Sequence, residues 1–159
     1  MLVHFPIVLL YGSLLASLFG LFWRDRFFDR ASFWLLVLGL MAGVAAAAAG
    51  VISEQYVPWT PATSALLGQH QADAVLTGFF TILALVARLW ARYPGTLNTR
   101  WSVARTGRGR PTILSLIFLV GAVVMVTLTA SVGGTMVYQY GVGVHGVLYR
   151  TPPGVSHHS

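Results

Sequence analysis

Residues 2–23 read LVHFPIVLLYGSLLASLFGLFW, and Arg24-Asp25-Arg26 follows at once. Coiled as a helix, that stretch reaches about 33 Å, and a bilayer's hydrocarbon core is about 30 Å thick. It does not alternate with the period of two of a barrel strand. A secretory leader would carry its positive charge before the apolar run and end in a small-residue cleavage site. Here the charges come after the run and no A-x-A site is present, so the stretch reads as a membrane span. Three more follow: 33–53 after Arg30, 70–92 with Arg88 and Arg92 at its end, and 112–138 after Arg110-Pro111, where proline suits a helix start. The expected fold is all-α, a four-helix bundle integral to a membrane. Residues 1–150 form one four-span domain and 151–159 a flexible tail with Pro152-Pro153 at its head.

Composition agrees. Of 159 residues, 56% are hydrophobic and only 9% charged, and the mean hydropathy is +0.73. A soluble domain carries about a quarter charged residues, and a disordered chain carries more charge and less apolar area than this. Ten arginines, no lysine and four acids leave a net charge of +6, which in a soluble protein would point to nucleic acid. In a membrane chain it points to lipid head groups, including at Gly107-Arg108-Gly109-Arg110, and no nucleic-acid partner is expected. Cysteine is absent, which excludes disulfides, thiolate metal sites, iron–sulfur clusters and covalent haem attachment.

The arginines orient the chain. Arg24, Arg26 and Arg30 lie between spans one and two. Arg88, Arg92, Arg100, Arg105, Arg108 and Arg110 lie at the end of span three or in the loop after it. Nine of the ten thus fall on one side, with Arg150 alone opposite. The positive-inside rule puts the nine in the cytoplasm and both termini on the outer, periplasmic side of a bacterial inner membrane. Trp23, Trp34, Trp90 and Trp101 gather toward the cytoplasmic ends, with Trp59 in the outer loop. In that outer loop, residues 54–68, Thr60-Pro61 reads as an N-cap and first helical residue, so a short helix is expected to lead into span three. Glu54 reads as a solvated loop residue.

Ionisable groups within a membrane are costly and mark function. His4 and His70 each lie about twenty residues before a cytoplasmic arginine, on spans that run parallel, so they share one outer layer. The same count along spans four and two reaches Gly133-Gly134 and the run Ala45–Gly50. Two imidazoles facing each other across a bundle can ligate a haem iron, and small residues let neighbouring helices pass a flat macrocycle. Gln69, Gln71 or Asp73 is placed to orient an imidazole, and Arg150 to pair with a propionate. Each feature also has a plainer reading. A lone histidine at a helix end is usually interfacial, small residues pack helices with or without a cofactor, and Asp73 near a helix start suits the dipole. The shared depth brings a two-histidine site to even terms with these. For His145 three readings stay open: a second site, a ligand in place of His4, or a surface histidine, which is favoured. His157 and His158 sit in the tail and are expected to be inert. No catalytic triad, phosphate loop or zinc-protease motif is present, and no catalytic residue is assigned.

Val3-His4-Phe5-Pro6-Ile7, the span-two stretch 38–43 (LGLMAG), His70, and the closing run 133–144 (GGTMVYQYGVGV) resemble a bacterial family. It is the four-span membrane family known as domain of unknown function 2231. The resemblance covers nearly the whole chain. Members occur fused to, or beside, Rieske or cytochrome c domains, which implies membrane electron transfer and haem at the matching His4 and His70. This chain has Gly-Gln-His-Gln around its span-three histidine and no fused redox domain, so a redox partner is expected on a separate subunit.

The expected function is therefore a b-type cytochrome-like subunit with one haem b held by His4 and His70. It would relay electrons between the quinone pool and an outer-side redox protein, with quinone itself a candidate ligand. It is not expected to be an enzyme alone. The alternative is a cofactor-free structural subunit of a respiratory or photosynthetic complex. A small transporter or proton channel ranks third, because no inverted repeat is visible and charges at the span centres are missing.

Overall fold

The computed structural model describes residues 4–23, 25–56, 60–92 and 113–142, apart from the side chains of Ala62 and Arg92. Arg24, Trp59, the basic linker 93–112 with Trp101, and the end of the chain from residue 143, with His145, Arg150, His157 and His158, lie outside these residues. Four helices make up the described chain: α1 (His4–Trp23), α2 (Arg26–Glu54), α3 (Pro61–Arg92) and α4 (Ile113–Tyr138).

Their ends follow from local chemistry. Pro6 falls in the first turn of α1, where the backbone N–H it lacks would have no helical partner. Asp25 caps α2, its carboxylate accepting the Phe27 N–H at 2.9 Å, and Asp29 sits in the first turn. At α3, Thr60 and Thr63 each accept the other's backbone N–H through a side-chain oxygen, a reciprocal cap ahead of Pro61. Helix α4 closes on Gly141, whose φ of 65° is open to glycine without strain. The N–H groups of Gly141 and Val142 there reach back to the carbonyls of Val137 and Met136.

Two expectations about boundaries change. Helix α2 begins at Arg26, seven residues before the apolar run, so Arg26 and Arg30 are helical rather than in a loop. The Asp25 cap sets that start. Residues 61–69 are no separate short helix: α3 runs unbroken for 32 residues, about 48 Å, because nothing after the Thr60–Thr63 cap interrupts it. Glu54, accordingly, is the last residue of α2 and half-buried, not a loop residue.

The helices run alternately up and down. α1 packs on α2 and α4, and α3 packs on α4 and α2. The pairs α1/α3 and α2/α4 lie across the diagonals. Contact is closest within the hairpins α1–α2 and α3–α4. Glycine permits this: a Cβ on Gly39 would lie 3.3 Å from Leu10 Cδ2, and one on Gly121 would lie 3.1 Å from Phe80 Cδ1. His4, Glu54, Pro61 and Tyr138 therefore share one end of the bundle, the histidine end. Trp23, Arg26, Arg92 and Ile113 share the other, the basic end.

The bundle is inside out by the standards of a soluble protein. Phe5, Phe22, Trp34, Val44, Val75, Phe79, Ile117 and Tyr138 are exposed, whereas Ser13, Ser17, Ser32, Thr81, Arg88 and Ser115 are buried. Such a surface suits lipid, and all four helices are long and apolar enough to cross a bilayer. Trp23, Trp34 and Trp90 are exposed toward the basic end, as interfacial tryptophans are.

Arg88 does not act as a flanking surface charge. It is 5% exposed and reaches into the bundle, where its Nε donates to Ser115 Oγ at 3.0 Å and its Nη2 to Ser17 Oγ. The long side chain points back along α3 from a Cα near the helix end, so the guanidinium enters the interior rather than the interface. Ser17 Oγ lies 2.6 Å from Ser32 Oγ, and the hydroxyls of Ser13 and Ser32 each donate to the other's backbone carbonyl at 2.8 Å. One polar cluster thus joins all four helices. Above it lies an apolar layer of Leu10, Leu36, Ala84, Leu119, Val123 and Val126.

Ser32 has no exposed area, so Ser32→Leu both removes three interhelical bonds, to the Ser13 carbonyl and the Ser13 and Ser17 hydroxyls, and overfills the α1–α2 seam. Its expected cost is about 2–4 kcal/mol, from overpacking plus lost bonds, read as a lowered midpoint in detergent-unfolding titrations. Ser53→Leu is the control, since the Ser53 hydroxyl bonds only within α2 to Ala49 at an exposed position.

Candidate functional site

The site is built around His70, on the tenth residue of α3. The ring is half-buried and turned toward α4, with Nδ1 3.0 Å from the Thr129 backbone oxygen. A carbonyl only accepts, so Nδ1 carries a proton, and in the neutral ring Nε2 then holds the lone pair. This is the arrangement by which proteins fix a ligating imidazole through its second nitrogen. Gly133, one turn beyond Thr129, makes room: a Cβ there would stand 3.3 Å from His70 Cε1 and 3.5 Å from Nδ1.

The orienting group is therefore the Thr129 carbonyl, not Gln69, Gln71 or Asp73. The ring leaves its own helix for α4, and side chains on α3 do not meet Nδ1. Gln71 instead donates to Glu54 Oε1 across the α2–α3 seam, and Asp73 offers its backbone oxygen to Thr77 at 2.8 Å. Sequence inspection overlooked Thr129 because its contribution is a backbone oxygen, which any residue would supply. Gly133 was the visible signal. Gly134, its neighbour, has open space where a Cβ would stand.

His4 opens α1 and is exposed. The Tyr11 hydroxyl and Thr127 Oγ1, 2.8 Å apart, tie α1 to α4 at one level. From that tie His4 lies about 10 Å toward the histidine end, and Gly133, beside His70, about 9 Å. His4 and His70 lie on α1 and α3, helices that face across a diagonal. Among the described residues, no three of His, Asp and Glu gather as a metal site.

The surroundings of His70 are unevenly closed. Along α3, the inward stripe Arg88, Ala84 and Thr81 is buried, and its continuation Thr77, Asp73 and His70 is only half-buried. Along α2, Ser32, Leu36 and Gly39 are buried, and the next inward positions Gly43, Ala46 and Ala49 are half-buried. On α1 and α4, Pro6, Leu10, Thr129 and Met136 are buried in the half toward the histidine end. Of the Ala45–Gly50 run expected at this layer, Ala46 and Ala49 are half-buried and the other four residues are exposed.

Fold and surface define an integral membrane four-helix bundle with a polar interior and a histidine-bearing layer near one end. The chain belongs to the family of predicted membrane proteins described as DUF2231, whose model matches residues 1–146. No curated protein and no solved structure matches it.

Gly133→Val places a branched side chain against the imidazole and is expected to break the His70–Thr129 bond. Nitrogen-15 NMR of His70 should then change from a fixed Nδ1–H tautomer to an exchanging mixture, with the four-helix circular dichroism unchanged. A fixed tautomer in the variant would show that the glycine is not what admits the ring.

Proposed function

We propose that this chain is a b-type cytochrome-like subunit of a bacterial inner membrane, with one haem b at the histidine end. The observation that carries the reading is the His70 ring, held through Nδ1 by a backbone carbonyl at a half-buried position with Nε2 left for an iron. The half-buried small residues Gly43, Ala46 and Ala49 of α2 suit the face of a flat macrocycle. On this reading His4 would be the second histidine to hold the haem, and Gly133 fixes the seat of the His70 ring. Arg150 is retained as the partner of a propionate. A bound haem supplies a one-electron couple whose potential its ligands and burial set.

The chain's own residues do the rest. Thr129 holds the tautomer, Tyr11 and Thr127 set the spacing of α1 and α4, and the apolar layer below excludes water from the centre of the bundle. The retained arginines at the basic end favour the cytoplasm for that end and the periplasm for the histidine end. A haem held near the outer face would supply the one-electron couple for exchange between the quinone pool and an outer redox protein on a separate chain. No catalytic residue is assigned, and the chain works as a relay within a larger complex. The apolar layer between Arg88 and His70 also weighs against a proton channel, since it separates the two polar ends.

One observation favours the second reading, a cofactor-free structural subunit. His4 is exposed, and the His70–Thr129 bond by itself ties α3 to α4. The pyridine haemochrome spectrum of purified protein separates the two. About one haem b per chain is expected, lost in His70→Ala, with His4→Ala converting a low-spin spectrum to a high-spin one. A colourless wild-type protein that still assembles in its complex would falsify the haem reading and leave the structural one.

A further inference from the structure

We infer that the basic end of α2 is a seat for an anionic phospholipid, its phosphate held by Arg26 and Arg30 and an acyl chain laid along Trp34, Leu38 and Met41. This seat lies at the opposite end of the bundle from His70 and works with or without a cofactor there.

The buried residues Ser32, Leu36 and Gly39 mark the inward side of α2. Arg26, Arg30, Trp34 and Leu38 follow one another at steps of four, Met41 continues the row, and all five are exposed on the opposite side. The apolar run opens at Phe33. Arg30 lies about 4–5 Å beyond that boundary and Arg26 about 10 Å, at 1.5 Å per residue. A head-group region adds about 5–7 Å to each side of the hydrocarbon core, so Arg30 stands among the phosphates and Arg26 at their outer margin. Helical side chains lean toward the N-terminus, which brings the Trp34 ring toward the turn of Arg30.

The two cations are uncompensated. Among the described residues, neither the Arg26 nor the Arg30 side chain has a hydrogen-bond or ion-pair partner. Asp25 turns its carboxylate to the Phe27 N–H, and Asp29 is half-buried on the inward side of the helix. Arg88 differs: it is buried and bonded to Ser17 and Ser115. Two free guanidinium groups one turn apart attract a phosphodiester, and the exposed aromatic and aliphatic row beneath them takes an acyl chain. A soluble phosphate meets the arginines but not the row. An acidic protein in the aqueous phase does not reach Met41, about 12 Å inside the boundary. A lipid with a negative head group answers both.

Native mass spectrometry of the detergent-purified chain, titrated with phosphatidylglycerol and with phosphatidylcholine of the same acyl chains, tests the seat. At low ionic strength each arginine near the head groups contributes about fivefold, so one phosphatidylglycerol is expected to bind about 25-fold more tightly than phosphatidylcholine. Arg26→Gln and Arg30→Gln should each lose about fivefold, and the double variant should bind both lipids alike. Arg105→Gln/Arg108→Gln removes the same charge from the basic linker and should leave the preference intact. An equal loss there would make the attraction diffuse and overturn the seat. Displacement of the lipid by millimolar glycerol phosphate would assign the arginines to a soluble phosphate and overturn it too. In nanodiscs, phosphatidylglycerol with a nitroxide near its acyl carbonyl should broaden the indole N–H signal of Trp34 more than that of Trp90, exposed at the same end on α3. Equal broadening means ordinary surrounding lipid, and no seat.

Discussion

A buried arginine in a membrane bundle constrains everything around it. Placing that charge in hydrocarbon costs about 3 kcal/mol or more unless hydrogen-bonding groups surround it. Arg88 meets this through Ser17 and Ser115, and Ser17 is itself bonded into the Ser13–Ser32 pair. Because these five residues come from four helices, satisfying one cation fixes the register of all four at the basic end. Apolar contacts alone do not do this, since helix–helix association in lipid lacks the hydrophobic drive and the outward faces are as apolar as the inward ones. The remainder of the bundle packs less tightly along α2 and α3, whose inward positions are only half-buried toward the histidine end.

That unevenness gives His70 its character. In a bundle sealed from end to end, its imidazole would be one more interhelical hydrogen bond. Here the bond to Thr129 uses one nitrogen, and the ring is only half-buried. Gly133 is the link between the two facts. It admits the ring to α4 closely enough for the bond, as the 3.3 Å clearance at a notional Cβ shows. The layer of Leu10, Leu36, Leu119 and Val123 separates this site from Arg88, so the molecule has two polar ends with different duties, one architectural and one chemical.

Much of this was legible in the residues. Four apolar runs, the N-cap at Thr60-Pro61 and the depth of His70 follow from spacing alone, because helical rise and membrane thickness are fixed lengths. Gly133 stood out because a small residue at that depth has a steric meaning. Other features were hidden. Arg88 was grouped with Arg92 as a flanking charge, since sequence shows that a residue is near a span's end but not which way its long side chain turns. Ser13, Ser17, Ser32 and Ser115 are unremarkable one at a time and significant only together. Thr129 acts through its carbonyl, which leaves no signature in the side chain, and Glu54 and Gln71 meet only because α2 and α3 are longer than their apolar runs.

The sequence by itself determined the number of spans, their lengths, their alternation and the clustering of arginine at one end, all one-dimensional quantities set by apolar run length and charge order. Only the tertiary structure decided which faces meet. Helical periodicity is too weak a guide when a helix is apolar all round, so the inward stripe of each helix had to be fixed by hydrogen bonds between distant residues. Those bonds put Arg88 inside and turned His70 to α4, while His4 stays exposed. The physical reason is that lipid makes outward placement nearly free for an apolar side chain, and only the few polar groups have a strong preference about where they go.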